Sequence, residues 1–206
     1  LMLKKKKYKI LKNYCDDYFN ELNTCVNEQT QKDLKKITNF LLIKYKKKKN
    51  IFVCGNGGSA AIANHFECDH KKILSETKKI NPRIISLCSN NPLITAIAND
   101  FSYDQVFKKQ LQYLSNNDDV LITISSSGNS KNIIEAIKFA KKKSIKVISF
   151  TGFNGGRSKV ICDMNLHVNS NNYGVIENLH HAYMNIISQY IKLNILNNSE
   201  IKNFKF

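Results

Sequence analysis

Two short apolar segments, each ending in a loop of small residues, constrain this sequence most. IFVC at 51–54 leads into GNGGS at 55–59, and VLITI at 120–124 leads into SSSGNS at 125–130. Both segments are continuously apolar, which is typical of strands buried on both faces of a parallel sheet. A helical pattern follows each loop, so the sequence predicts repeated strand–loop–helix units and an α/β fold.

The rest of the chain extends this pattern. Three more strands are predicted at 83–88, 147–150 and 165–168, with helices between them and a long last helix at 173–193. We therefore expect a three-layer α/β/α fold around a central, mainly parallel, five-stranded sheet. Helical spacing before the first strand predicts two further helices, the second capped by Thr30. They would form an N-terminal helical arm (1–48) on a single compact domain (49–206).

The composition is that of a globular protein, with 42% hydrophobic residues. The formal net charge of +16 comes from short lysine runs at the ends of elements, with no aromatic-interleaved basic stripe. This argues against nucleic-acid binding as the main function, although a positive field attracts phosphorylated substrates. No apolar run has the roughly 18–20 residues that cross a membrane.

Six cysteines are scattered without a C-x-x-C pair, as expected of reduced thiols. The N-terminus lacks the apolar segment of a signal peptide. We therefore expect a cytoplasmic protein without disulfides.

The two loops have the composition of an anion site. Glycines let backbone N–H groups approach a ligand, a helix N-terminus favours negative charge, and serine hydroxyls add donors. The loop at 125–130 suits a phosphate monoester. Neither loop has Walker or G-x-G-x-x-G spacing, so a nucleotide cofactor is disfavoured. The structural alternative is that Ser130 only caps its helix and the other serines fill a turn.

The pairing of GNGGSA with ISSSGNSKN about 65 residues later resembles the sugar isomerase (SIS) domain family. AIANDFSYDQVF at 96–107 and the terminal helices extend the resemblance over nearly the whole chain. His65 and Asp69, an H-x-x-x-acid pair after the first loop, make it similar to the phosphoheptose isomerase branch.

The resemblance implies a ketose–aldose isomerase. Its substrate would be sedoheptulose 7-phosphate and its product D-glycero-D-manno-heptose 7-phosphate, formed through an enediol. The product would feed heptose synthesis for surface polysaccharide such as capsule or lipopolysaccharide. The resemblance also implies a homotetramer whose active sites lie between subunits. The residues expected to bind the sugar phosphate are Asn56, Gly57, Gly58, Ser59, Asp100, Ser125, Ser126, Ser127 and Ser130.

The family's zinc site would be altered in this chain. It uses His-x-x-x-Glu after the first loop, with a Gln and a His eight residues apart on the last helix. Here His65 matches, while Asp69, Glu177 and Asn185 replace the other three. His65, Asp69 and Glu177 remain the candidate metal ligands, with zinc as the candidate cofactor and metal-free catalysis left open.

Two histidines near Glu177 could compensate for the histidine lost at 185. His180 and His181 follow Glu177 by three and four residues, which places all three on one helix face. The candidate catalytic residues are therefore Asp69, Glu177 and His181, although His180 or His181 could instead pack in the core or at a subunit contact. We expect His70 in solvent or at an interface, and His167 to be structural.

Two other functions remain open from the sequence. The replacements at 69, 177 and 185 are compatible with an isomerase of a different sugar phosphate. The loss of histidine at 185 is also compatible with a non-catalytic SIS protein that senses a sugar phosphate or binds a protein partner.

Overall fold

The computed structural model describes residues 6–202, which form an α/β fold around one five-stranded sheet with the strand order β2-β1-β3-β4-β5. The strands are β1 (Asn50–Gly55), β2 (Arg83–Ser86), β3 (Val120–Ser125), β4 (Lys146–Thr151) and β5 (Met164–His167). Every pairing between them is parallel. The predicted α/β class is confirmed, and the sheet is entirely parallel.

Helices connect and cover the strands. They are α1 (Leu11–Thr24), α2 (Glu28–Lys46), α3 (Gly58–Ser75), α4 (Asn91–Asp100), α5 (Val106–Leu114), α6 (Lys131–Lys142), α7 (Gly156–Ile161), α8 (Tyr173–Ile195) and α9 (Asn198–Ile201), with a 3₁₀ turn at Tyr103–Gln105. The short α7 and α9 carry no long apolar period, and the sequence did not predict them. Helix α2 of the predicted arm packs against β5 and α8. The division of the chain into an arm and a domain at residue 48 stays a prediction.

Register places the two small-residue loops side by side. Ile51 pairs with Val120, and Gly55 pairs with Ile124. All six residues of β3 are buried, as its continuous apolar pattern predicts. Because parallel strands end at the same edge, the loops after β1 and β3 emerge together.

The start of α2 differs from the prediction. Asn27, not Thr30, is the N-cap: its side chain accepts a hydrogen bond from the Thr30 N–H. The Thr30 hydroxyl in turn accepts one from the Asn27 N–H, which completes a capping box. Asn27 and Thr30 are both common N-cap residues, and the sequence does not show which of them begins the helix.

His70 was wrongly expected at the surface; it is fully buried between three helices. Its ring stacks on Phe66, with centroids 3.8 Å apart. Burial lowers the pKa of His70 to about 3, so the ring is neutral. Nε2–H then donates to the Met184 carbonyl at 3.0 Å, and Nδ1 accepts from the Tyr45 hydroxyl at 2.8 Å. His70 thereby joins α2, α3 and α8.

The six cysteines are free thiols in this structure. Within residues 6–202, no helix combines the length and apolarity needed to cross a lipid bilayer.

His180 is a second buried histidine, and it should make stability depend on pH. Burial lowers its pKa to about 4; nearby His167 adds to this shift, while the hydrogen bond to the Thr151 carbonyl opposes it. Between pH 6.5 and 4 the unfolded chain binds the proton that folded His180 rejects, so the free energy of unfolding falls as the pH falls. The loss from pH 7 to pH 5 is about 2 kcal/mol.

Urea unfolding at pH 7 and pH 5 tests this assignment. The His180→Gln variant cannot titrate at this position and should lose about 2 kcal/mol less than the wild type over the interval. Equal losses in the two proteins would show that His180 is not a buried neutral group.

Candidate active site

An amide clasp, defined as the side chains of Asn56 and Asn132, joins the two loops. Each amide donates to the oxygen of the other, at 3.0 and 2.8 Å. The Tyr103 hydroxyl also donates to Asn56 Oδ1 at 3.0 Å. Asn132 is buried in the first turn of α6, and sequence reasoning missed it. The clasp fixes the glycine loop against the serine loop, and it occupies the side chain of Asn56, a predicted substrate ligand.

The glycine turn lies directly under the carboxylate of Glu177. Gly57 has φ 54° and ψ −124°, a backbone conformation that residues with a side chain rarely adopt. A Cβ at Gly58 would overlap the Glu177 carboxylate. Gly57 therefore serves the turn, while a side chain at 58 would require the flexible Glu177 side chain to shift. This places Glu177 at the N-terminus of α3, where the helix dipole favours a negative charge.

Within the described part of the chain, two serine hydroxyls of the serine loop make no hydrogen bond that stabilises the loop or the helix after it. Ser130 is the N-cap of α6, but its side chain makes no capping hydrogen bond. Ser126 Oγ is buried without a partner among the described residues. Ser125 Oγ accepts from the Gly128 N–H and Ser127 Oγ from the Asn129 N–H, so these two serines do support the turn, as the alternative expects. The missing capping bond still disfavours the part of the alternative in which Ser130 only caps its helix.

The contact between α3 and α8 brings three of the predicted site residues together. His65 Nε2 lies 3.0 Å from Asp69 Oδ2. The His65 ring meets that of His181 edge to face, with centroids 4.6 Å apart. Partial burial, followed by the nearby His65, lowers the pKa of His181, and Asp69 partly opposes the shift. A neutral His181 imidazole can both donate and accept a proton at neutral pH.

His180 does not join this group, although it shares a helix with His181. Its side chain turns into the core against Phe150, with ring centroids 5.8 Å apart. One residue corresponds to about 100° of rotation, so His180 and His181 face different neighbours. The prediction that Glu177, His180 and His181 share one helix face is therefore wrong for His180, which faces the core.

The candidate metal ligands do not form a metal-binding cluster. Among residues 6–202, no group of three or more His, Cys, Asp and Glu side chains is placed to hold a metal ion. His65 directs Nε2 at Asp69, while Glu177 lies at Gly58. As arranged in this chain, His65, Asp69 and Glu177 do not fit a zinc site, and we derive no reaction step through zinc.

The two remaining predicted substrate ligands are Ser59, which directly follows Gly58, and Asp100. Ser59 is buried in the first turn of α3. Asp100 is exposed at the end of α4, where its carboxylate accepts a hydrogen bond from Asn99. Their roles in binding stay predictions.

Comparison with known proteins identifies the family. The SIS domain model matches residues 13–152. The phosphoheptose isomerase of Aliarcobacter butzleri is 39% identical over 166 residues, which cover 81% of this chain and 87% of the relative. The chain belongs to the phosphoheptose isomerase family of SIS domain proteins.

Solved phosphoheptose isomerases share the fold. The enzyme from Neisseria gonorrhoeae superposes with a TM-score of 0.78 at 30% identity, covering 88% of this chain and 98% of that one. The enzyme from Francisella tularensis gives 0.80 at 27% identity, covering 89% and 96%. The glycine and serine loops of this phosphoheptose isomerase family member therefore lie on a known enzyme scaffold.

The clasp predicts a stability cost at Asn132. The Asn132→Ala variant removes both amide hydrogen bonds and leaves Asn56 Nδ2 without its partner, so unfolding free energy should fall by about 1–3 kcal/mol in urea. Lys142→Ala, on the exposed side of the same helix, is the control and should change little. Equal stability of the two variants would contradict a structural role for the clasp.

Proposed function

We propose that this protein converts sedoheptulose 7-phosphate to D-glycero-D-manno-heptose 7-phosphate. The observation that carries the proposal is the clasp between Asn56 and Asn132, which holds the serine loop beside the glycine turn under Glu177. The serine loop offers the Ser130 hydroxyl and a helix N-terminus to a phosphate. Glu177 of α8 presents its carboxylate to the sugar above the glycine turn.

Binding is proposed to begin at the serine loop. The phosphate would sit at the N-terminus of α6, where the unused Ser130 hydroxyl and the first backbone N–H groups can donate to its oxygens. The sugar would then extend over Gly57 and Gly58, which expose backbone without side chains. The net positive charge of the chain would favour the approach of the phosphate.

Isomerisation needs one proton to move between neighbouring carbons. The Glu177 carboxylate is proposed to take a proton from C1, which gives an enediol, and to return it to C2. During this step O2 gains a proton and O1 loses one. Neutral His181 suits this transfer, since an imidazole donates from one nitrogen and accepts at the other. His65, held by Asp69, would keep the His181 ring in place.

Proton NMR in deuterated water tests the reaction. Purified protein with sedoheptulose 7-phosphate should yield an aldoheptose phosphate carrying deuterium at C2. Glu177→Gln keeps the shape of the side chain but removes the base, so turnover should fall by about 10²–10⁴-fold. Glutamine is also the residue that the family resemblance places at 177. A loss of turnover in this variant would therefore show that this chain depends on the Glu177 carboxylate.

Other outcomes would overturn parts of the proposal. Full activity in Glu177→Gln would assign the base to another group, with Asp69→Asn as the next variant to measure. No turnover by the wild type with phosphosugar binding intact would favour another substrate or a sensor. A chelator and added zinc in parallel reactions would show whether turnover needs a metal.

Ser130→Ala separates a phosphate ligand from a helix cap. Because Ser130 makes no capping bond, the variant should keep its melting temperature, while the KM for the sugar phosphate rises several-fold. Asn27→Ala is the matched control: its side chain does cap α2, so it should lose about 1 kcal/mol of stability with KM unchanged. A destabilised Ser130→Ala with normal KM would return Ser130 to a capping role.

A homotetramer and a place in heptose synthesis for surface polysaccharide complete the proposal. An exposed stripe on α8, formed by Ile186, Tyr190 and Leu193, supports self-association. These residues recur at helical spacing, and an apolar stripe of this kind is stabilised when another surface covers it. A cytoplasmic location stays a prediction.

A further inference from the structure

A lysine-lined cavity opens at the edge of the sheet away from the candidate active site. Its volume is about 460 Å³, and its walls include Tyr45, Lys46, Lys48, Ser75, Lys78 and Lys79. Lys46 and Lys48 directly precede β1, and Lys78 and Lys79 precede β2. The cavity therefore lies at the amino ends of these strands, whereas the glycine and serine loops lie at the carboxyl ends.

The charge of the cavity is not neutralised by its surroundings. Lys79 pairs with Glu200 at 2.9 Å. No ion pair within residues 6–202 involves Lys46, Lys48 or Lys78. Helices α2 and α3 end nearby, and each C-terminus contributes about half a negative charge. The four ammonium groups still leave a surplus of about two positive charges.

The backbone holds two of these lysines in an uncommon conformation. Lys48 has φ 53° and Lys78 has φ 56°, in the left-handed region that glycine and asparagine fill more readily. Lys48 directly follows the C-cap of α2, at the position where glycine most often ends a helix, and Lys78 lies two residues after the C-cap of α3. Both lysines line the same cavity.

We propose that this cavity binds a small anion carrying two or more phosphate groups. Flexible ammonium groups serve phosphate as point charges. Several of them around one cavity favour a multivalent anion over a monophosphate, because each additional phosphate group meets a further cation. The volume suits a small metabolite, and Ile80 adds an apolar residue to the walls. The proposal is independent of the isomerase reaction.

Calorimetry with sodium pyrophosphate on the full chain tests the proposal. We expect one site per chain, binding pyrophosphate about tenfold or more tightly than inorganic phosphate, and unaffected by saturating sedoheptulose 7-phosphate. ADP in a parallel titration distinguishes the source of the ligand. Binding of ADP at least as tight as that of pyrophosphate indicates a nucleoside diphosphate, and tighter binding of pyrophosphate indicates a free polyphosphate.

Two double variants locate the site. K48Q/K78Q should weaken pyrophosphate binding about tenfold or more. K142Q/K143Q removes the same charge at the end of α6 and should leave binding within about twofold. If K48Q/K78Q does not fold, Lys46→Gln on the exposed side of α2 provides the same comparison.

Three results would overturn the proposal. Equal weakening in both double variants would show attraction to net charge alone. Displacement of pyrophosphate by the sugar phosphate would place it at the serine loop instead. Wild-type binding in K48Q/K78Q and in Lys46→Gln would remove the cavity from consideration.

Discussion

The parallel pairing of β1 with β3 is the constraint on which the site depends. It aligns Gly55 with Ile124, so the chain leaves both strands at the same height and direction. Strand pairing alone therefore makes neighbours of two loops that are about 65 residues apart in sequence. The clasp between Asn56 and Asn132 then fixes their spacing with two hydrogen bonds. Backbone pairing sets the coarse geometry, and two amides set the fine geometry.

The second support of the site is the packing of α3 against α8. Neutral His70 bridges from α3 to the backbone of α8 at Met184, and one residue earlier Asp69 holds His65. The buried face of α3 thus contacts α8 through His70, and its exposed face contacts α8 through His65 and His181. A charged His70 could not accept a hydrogen bond from the Tyr45 hydroxyl, because both of its ring nitrogens would carry a proton. Burial keeps the ring neutral, and the neutral ring can accept at Nδ1.

The sequence predicted the strands, their parallel direction and the two loops, because continuous apolar runs and glycine–serine turns are local patterns. It did not predict which way the histidines point. His180 and His181 are adjacent in sequence, and only the neighbouring β4 and α3 decide that one bonds to Thr151 and the other meets His65. Asn132 was missed for a related reason: its partner is 76 residues away, and an asparagine after a serine loop is common in turns.

The replaced residues on α8 form a consistent set. Glu177 supplies a carboxylate where the family resemblance places an amide, and this carboxylate reaches the glycine turn through the space that Gly58 leaves open. His181 lies four residues before Asn185, about 6 Å back along the helix axis, on the side of Glu177. The imidazole is thus moved one turn toward the glycine loop, and it meets His65 there. In the proposed reaction, the Glu177 carboxylate is the base and the neutral His181 imidazole is the proton carrier, so the proposal needs no histidine at 185.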